Sequence, residues 1–168
     1  LGQGATGVVH LATHLSLKRP VALKRLHQPL LKNEGARARF LREARVAASL
    51  QHEHAAQVYD FGEADGELYL AMEFIEGTTL RAWLETMHDR VPLREILHLG
   101  VQLADVIAAA HEIGLVHRDL KPENIFRAVD DDGISQIKLV DFGLAFIAGE
   151  SGDMGRMTEE GVLGGTPA

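Results

Sequence analysis

The stretch HRDLKPEN, residues 117–124, places a base, two cations, two acids and an amide in eight positions, and DFG follows at residues 141–143. These side chains could orient a hydroxyl group, neutralise a phosphate and bind a hard metal ion. A solvated loop could also collect them by chance. The segments on either side therefore decide between a phosphate-transferring site and an ordinary loop.

Composition limits the class of protein. The chain has 168 residues, of which 46% are apolar and 24% charged, as is usual for one globular domain or two small lobes. It contains no cysteine, which excludes disulfides and thiolate metal sites and fits a reducing compartment, so we expect a cytoplasmic location. No apolar run reaches the ~20 residues of a membrane span. We expect no membrane contact from this segment, although an anchor could lie outside it.

Charge is unevenly distributed along the chain. Residues 1–75 hold 9 basic and 8 acidic residues, and residues 76–168 hold 8 and 16, which together give the net charge of −7. An acidic second half disfavours binding to nucleic-acid phosphates and tolerates cations. We therefore expect no nucleic-acid partner.

The pattern of apolar residues changes at residues 76–78. The first part predicts strands around a glycine turn, followed by further elements: strand 19–26, helix 34–51, and strands 57–62 and 66–75. The second part predicts two helices and two short strands before a glycine-rich loop: helices 78–87 and 92–114, and strands 125–129 and 137–140. The longer helix carries an apolar stripe that we expect to be buried: Ile96, Leu99, Leu103, Val106, Ile107 and Ala110. The sequence therefore predicts an α+β fold divided into residues 1–75 and 76–168.

The opening glycines fit the pattern G-x-G-x-x-G-x-V, with Gly2, Gly4, Gly7 and Val9 at the fixed positions. A dinucleotide-binding turn would need a helix after the glycines, whereas a short β-branched segment follows here. The remaining alternatives are a plain hairpin turn and a lid whose backbone N–H groups approach phosphate oxygens.

Lys24 lies on the predicted strand 19–26, in the sequence Val-Ala-Leu-Lys. It is either an exposed strand lysine or a cation that pins the phosphates of a nucleotide. A phosphate-binding lysine needs a carboxylate to hold it, and Glu43, in the middle of the following helix, is the candidate. Alternatively, Glu43 makes only a surface pair with Arg39, worth ~0.2–0.5 kcal/mol.

These motifs, in this order, resemble the eukaryotic-like (Hanks-type) serine/threonine protein kinases of bacteria. HRDLKPEN matches H-R-D-L-x-x-x-N at every fixed position, and the glycine pattern, Lys24 and DFG stand where that family has them. The resemblance covers essentially the whole chain. It implies a two-lobe fold, with an antiparallel sheet and one helix in residues 1–75 and part of the helical lobe in residues 76–168.

The resemblance also implies roles for individual residues. Asp119 would orient the substrate hydroxyl, Lys121 would neutralise the transferring phosphate, and Lys24 with Glu43 would position ATP. Asn124 and Asp141 would bind Mg²⁺, with Mn²⁺ as an alternative, and His117 would pack against Phe142. The remaining ATP-binding positions would be in the glycine loop, around the adenine ring and at the hinge: Gly2, Gly4, Gly7, Val9, Ala22, Met72, Glu73, Ile75 and Phe126.

Three residues would have regulatory roles in such a kinase. Thr158 resembles an autophosphorylated threonine, and Arg118 resembles the arginine that pairs with its phosphate. Thr166 resembles the threonine that hydrogen-bonds Asp119 and Lys121. The expected substrates are ATP and serine or threonine residues of proteins, with a role in signalling.

The motif Ala-Pro-Glu, which follows the activation loop in this family, is absent. We therefore expect the chain to be a fragment of a longer protein. An inactive fragment or a pseudokinase that serves as a nucleotide-binding or interaction module is the alternative to an active kinase. Self-association through a surface exposed by truncation is a further expectation.

Overall fold

A computed structural model describes residues 1–4, 7–26, 34–87, 90–129 and 133–142 of the chain. It contains a five-stranded sheet, a three-stranded sheet and three α-helices within these residues. The elements follow one another as β1 Gly2–Gly4, β2 Gly7–His14, β3 Arg19–Leu26, α1 Glu34–Ser49, β4 Val58–Ala64, β5 Glu67–Glu73, β6 Thr78–Thr79, α2 Leu80–Thr86, α3 Leu93–Glu112, β7 Ile125–Val129 and β8 Ser135–Leu139. The predicted α+β class is confirmed.

The first sheet is antiparallel, in the order β1-β2-β3-β5-β4. Glycine is needed at one close approach between strands and at one turn of this sheet. A Cβ on Gly7 would lie 2.1 Å from the carbonyl oxygen of Arg25, so no side chain fits where β2 passes β3. Asp65 and Gly66, with φ of 52° and 72°, form the two-residue turn between β4 and β5, as the Asp-Gly pair favours.

Helix α1 covers one face of this sheet. Phe40 and Ala44 are fully buried against Leu68 and Leu70, and the helix packs with β4. This core fixes the face of β3 on which Lys24 lies, because Lys24 and Leu70 are cross-strand partners.

The second sheet, in the order β6-β7-β8, packs against α3. Val106 of α3 is fully buried, in one cluster with Ile137 and Leu139 of β8. The sequence predicts a helix that begins at Thr78 or Thr79, and Thr79 caps α2 by accepting a hydrogen bond from Ala82 N–H (3.2 Å). It does not predict the short strand β6 at the same two residues.

The predicted buried stripe of α3 is only partly correct. Leu99, Val106 and Ala110 are buried, but Ile96 is 52% exposed. The side of α3 that includes Ile96 also exposes three further large apolar residues: Leu93, Leu97 and Val101. Because α3 is apolar on both sides, periodicity alone could not identify the buried side. No helix in the described part of the chain is long and apolar enough to cross a membrane.

Candidate active site

The loop between α3 and β7 carries HRDLKPEN and ends in a 3₁₀ turn, Pro122–Asn124. The buried Asn124 donates from its side-chain nitrogen to the carbonyl oxygen of Asp119 (2.8 Å) and to its Oδ2 (3.1 Å). Lys121 Nζ lies 2.6 Å from the same Oδ2. Asn124 and Lys121 therefore both contact Asp119, which distinguishes the loop from a solvated one.

His117 supports this loop from below. The backbone N–H of Asp119 donates to His117 Nδ1 (3.3 Å), and His117 Nε2 lies 2.9 Å from the carbonyl oxygen of Val140. These partners assign the proton to Nε2, which donates to Val140. Burial lowers the pKa of His117 below its usual 6.5, so the ring is neutral at pH 7.

The rings of His117 and Phe142 lie with centroids 5.0 Å apart. The predicted contact between them is thus confirmed, and it links the HRDLKPEN loop, the proposed catalytic loop, to the DFG segment. A second link joins the same two segments, because Val140 N–H donates to the carbonyl oxygen of Asn124 (2.9 Å).

Lys24 is 4% exposed and its Nζ lies 2.7 Å from Asp141 Oδ2. In this structure the carboxylate beside Lys24 is that of Asp141 and not that of Glu43, so the Lys24–Glu43 pair stays a prediction. Glu43 Oε2 instead lies 3.7 Å from Arg118 Nη1. The physical reason is that Asp141, two residues after β8, supplies the carboxylate that a buried ammonium requires. Arg118 reaches Glu43 from the HRDLKPEN loop.

Arg118 and Asp141 share a backbone feature. Both have φ of 63°, a left-handed conformation that costs a residue other than glycine of order 1–3 kcal/mol. Both also form the ion pairs described above. Such strain clusters at functional sites because the surrounding contacts must hold it.

The predicted adenine-binding residues come from both sheets. By register, Val9 lies opposite Lys24 and Ala22 lies opposite Met72, so these four side chains share one face of the five-stranded sheet. Phe126 lies on β7 of the other sheet. Glu73 ends β5, and Ile75 follows in the segment that leads to β6.

Comparison with known proteins agrees with this geometry. The family model described as "Protein kinase domain" matches residues 1–162. The chain belongs to the protein kinase family.

Kinases of two bacteria are among its relatives. The serine/threonine-protein kinase pkn2 of Myxococcus xanthus is 40% identical over 167 residues, which cover 99% of this chain and 20% of that protein. PknF of Mycobacterium tuberculosis is 42% identical over 146 residues, which cover 86% of this chain and 31% of that protein. The chain thus spans between a fifth and a third of the length of these relatives.

Solved kinase structures have the same fold. The crystal structure of the M. tuberculosis PknI kinase domain matches with a TM-score of 0.74 and 34% identity, over 86% of this chain and 56% of that chain. The antiparallel sheet with one helix, followed by a partial helical lobe, is therefore the kinase fold, as the motifs indicated.

Some predicted kinase residues cannot be placed. Thr158 and Thr166 lie outside the described residues, as does the tip of the glycine loop between Gly4 and Gly7. Conversely, sequence reasoning missed Lys138. Its ammonium lies 3.0 Å from the carboxylate of Glu73, at the predicted hinge.

Proposed function

We propose that the intact protein is a serine/threonine protein kinase, which transfers the γ-phosphate of ATP to hydroxyl groups of protein side chains. One observation carries the proposal. The catalytic loop and the end of β8 are hydrogen-bonded to each other, so Asp119, Asn124 and Asp141 converge, and Lys24 joins them from the other sheet. Polar residues that collect by chance in one loop would not be expected to meet a buried lysine from a different sheet.

The chemistry follows from these groups. The hydroxyl oxygen of the substrate attacks the γ-phosphorus, the bond to the bridging β–γ oxygen breaks, and ADP leaves. Asp119 orients the hydroxyl and accepts its proton, and Lys121, which already contacts Asp119 at 2.6 Å, neutralises the charge on the transferring group. Lys121 at this position favours serine and threonine over tyrosine as substrates.

The donor set fits a Mg²⁺ ion. The side-chain nitrogen of Asn124 is committed to Asp119, which leaves its amide oxygen for a metal ion, and Asp141 offers a carboxylate. Both are the oxygen ligands that Mg²⁺ prefers, and Mn²⁺ accepts the same ligands. The ion would neutralise charge on the phosphates of ATP. Lys24 must then exchange Asp141 for a phosphate oxygen.

Adenine would lie between the two sheets. Val9 and Ala22 on one side and Phe126 on the other would contact the ring, with Met72 behind it. The carbonyl of Glu73 and the N–H of Ile75 would supply its hydrogen bonds. Buried Ala22 and Met72 at that face support an apolar site.

The test is transfer of labelled γ-phosphate by the intact protein to serine and threonine residues, compared between wild type and Asp119→Asn. Asparagine keeps the shape and removes the proton acceptor, so transfer should fall ~10²–10⁴-fold while ATP affinity is retained. Glu112→Gln, an exposed change on α3, serves as the charge-matched control. Wild-type protein that binds ATP but transfers no phosphate would instead support the pseudokinase alternative.

Regulation through Thr158 is part of the same proposal. A phosphate on Thr158 would add about −1.5 to −2 charge and could pair with Arg118, displacing Glu43. Thr166 would act without phosphate, by hydrogen bonding near the substrate. Mass spectrometry after incubation with Mg-ATP, combined with the activity of Thr158→Ala, tests this. An unmodified Thr158, together with full activity of Thr158→Ala, would refute regulation through this residue.

The exposed apolar side of α3 supports self-association of the isolated segment. Its large residues are 52–70% exposed: Leu93, Ile96, Leu97 and Val101. Contiguous apolar surface of this kind promotes association in water. Sedimentation of residues 1–168 should reveal oligomers that Leu97→Glu weakens, whereas Leu15→Glu, at an exposed leucine of the β2–β3 turn, should not. A monodisperse monomer would contradict the proposal.

A further inference from the structure

The carboxylate of Glu73, at the proposed hinge, contacts both Gln57 and Lys138. Its Oε2 accepts a hydrogen bond from the backbone N–H of Gln57 (3.1 Å) and one from Lys138 Nζ (3.0 Å), and its Oε1 also lies 3.0 Å from that ammonium. Lys138 Nζ additionally lies 3.5 Å from the carbonyl oxygen of Ala55. The kinase roles assigned above use the backbone of Glu73 but not its side chain.

Residues 54–57 connect the two sheets through their backbone. Toward the three-stranded sheet, Ala56 N–H donates to the carbonyl oxygen of Leu139 (2.9 Å), and Leu139 N–H donates to that of His54 (2.8 Å). Toward the five-stranded sheet, Glu73 N–H donates to the carbonyl oxygen of Gln57 (2.8 Å). We call the side chains of Glu73 and Lys138, together with residues 54–57, the inter-sheet brace.

The position of Lys138 on β8 connects the brace to the nucleotide site. Lys138 is the cross-strand partner of Phe126, so both side chains lie on the same face of the sheet. Phe126 is the proposed contact on one side of adenine, and Glu73 carries the proposed hydrogen-bonding carbonyl. One lysine therefore lies beside two elements that would contact the ring, and three residues before Asp141.

The Glu73–Lys138 pair is less exposed than the surface pair Arg37–Glu63. Its side chains are 27% and 26% exposed, whereas those of Arg37 and Glu63, between α1 and β4, are 48% and 31% exposed. Lower exposure weakens screening by water, and contacts to the fixed backbone groups of Ala55 and Gln57 reduce the entropy lost in forming the pair. The brace is thus suited to hold one geometry.

We propose that Lys138 is a positioning residue for ATP: by bracing the carboxylate of Glu73, it fixes the hinge backbone relative to Phe126 and so sets the affinity for the purine ring. The inference rests on the proposed function only in naming ATP as the ligand. Lys138 does not need to contact the transferring phosphate. It therefore affects the binding of ATP and not the chemical step.

The experiment measures ATP affinity and phosphate transfer by the intact protein for wild type, Lys138→Met, Lys138→Arg and Glu73→Gln. Lys138→Met should raise both the Kd and the KM for ATP about three- to tenfold with kcat retained, and Lys138→Arg should restore part of the affinity. Competition by adenosine, which has no phosphates, should weaken by the same factor as ATP. Arg37→Met, which also removes one cation and one ion pair, should change none of these values.

Glu73→Gln should also weaken the binding of ATP. The double variant Glu73→Gln/Lys138→Met should bind ATP no more weakly than Lys138→Met alone, because both substitutions break the same Glu73–Lys138 interaction. This second variant also covers the case in which Lys138→Met fails to fold. Unchanged ATP affinity in Glu73→Gln, or a fall in kcat at constant KM in Lys138→Met, would overturn the inference. Wild-type protein that binds ATP without transferring phosphate would refute the proposed function alone, since the binding measurements still test the brace.

Discussion

The catalytic ion pairs and the inter-sheet brace hold charges in different ways. Lys24–Asp141, Lys121–Asp119 and Glu43–Arg118 each join groups that the proposed reaction needs for ATP, metal, substrate or regulation. In the brace, Glu73 and Lys138 also contact the backbone of Gln57 and Ala55, groups that the reaction does not need. We therefore expect the three pairs of the proposed active site to exchange partners during the reaction, whereas we expect the brace to stay closed.

Burial alone does not produce this difference. Lys24 is 4% exposed and is more deeply buried than Lys138, yet its carboxylate partner is the predicted metal ligand Asp141. A buried ammonium needs a negative partner at all times, and under the proposed function the phosphates of ATP would offer one when Asp141 binds a metal ion. Lys138 has no such alternative partner among the proposed ligands. What separates the two regions is therefore the availability of a substitute charge.

A large loss of phosphate transfer is expected from Lys24→Met. Methionine fits the same space but cannot bind phosphate, and it leaves Asp141 without its cation. Phosphate transfer should fall about 10²–10³-fold, as when one preorganised electrostatic contact is removed. Initial rates with labelled ATP measure this, with Lys18→Met, in the exposed β2–β3 turn, as the matched control. Wild-type turnover in Lys24→Met would remove Lys24 from the catalytic pairs.

A smaller effect concerns His117, which supports the catalytic loop through Asp119 and Val140. Its pKa in the folded protein is lowered by burial from 6.5, so the unfolded chain takes up a proton at higher pH than the folded one. The contribution of His117 to stability is therefore complete above about pH 6.5 and is lost as pH falls from there through the folded pKa.

Unfolding free energies of wild type and His117→Asn between pH 8 and pH 5, measured in urea, check this prediction. The stability difference between the two proteins should shrink as the solution becomes more acidic. His111→Asn, at an exposed position on α3, controls for loss of a histidine elsewhere. A difference that is constant over the range would show that His117 does not couple folding to protonation.

The smallest expected effect is the coupling between Glu43 and Arg118. The pair is 3.7 Å apart with side chains 19% and 36% exposed, so a double-mutant cycle on unfolding free energy should give about 0.2–1 kcal/mol. Glu43→Gln and Arg118→Met provide the cycle. Because Lys24 could pair with Glu43 once ATP and metal occupy Asp141, the coupling should decrease with Mg-ATP. Equal coupling energies with and without Mg-ATP would show that the Glu43–Arg118 pair does not exchange partners when nucleotide binds.

Motifs in the sequence predicted which residues meet, but not which charges pair. HRDLKPEN and DFG are local patterns, so the approach of Asp119, Asn124 and Asp141 followed from the family fold. The partner of Lys24 depends on how far α1 and β8 reach toward β3, a tertiary distance that no local pattern contains. Local patterns therefore indicate Glu43 as the partner of Lys24, where the structure has Asp141.

Lys138 escaped notice for a similar reason. Between the buried Ile137 and Leu139 it fits simple strand alternation, which predicts an outward, solvated lysine. Its side chain instead meets the segment of residues 54–57. That segment lies beside β8 because of the parallel bridge between Ala55 and Leu139, which strand alternation does not reveal. The side of α3 that is buried was likewise fixed by tertiary packing and not by periodicity.

The dependence of phosphate transfer on ATP concentration, measured for Asp119→Asn and Lys138→Met in the intact protein, separates the role of Asp119 from that of Lys138. Asp119→Asn should lower kcat ~10²–10⁴-fold and leave the KM for ATP nearly unchanged. Lys138→Met should raise the KM about three- to tenfold and retain kcat. Two variants that change the same parameter, or wild-type kcat in Asp119→Asn, would contradict the division between exchangeable catalytic pairs and a permanent brace.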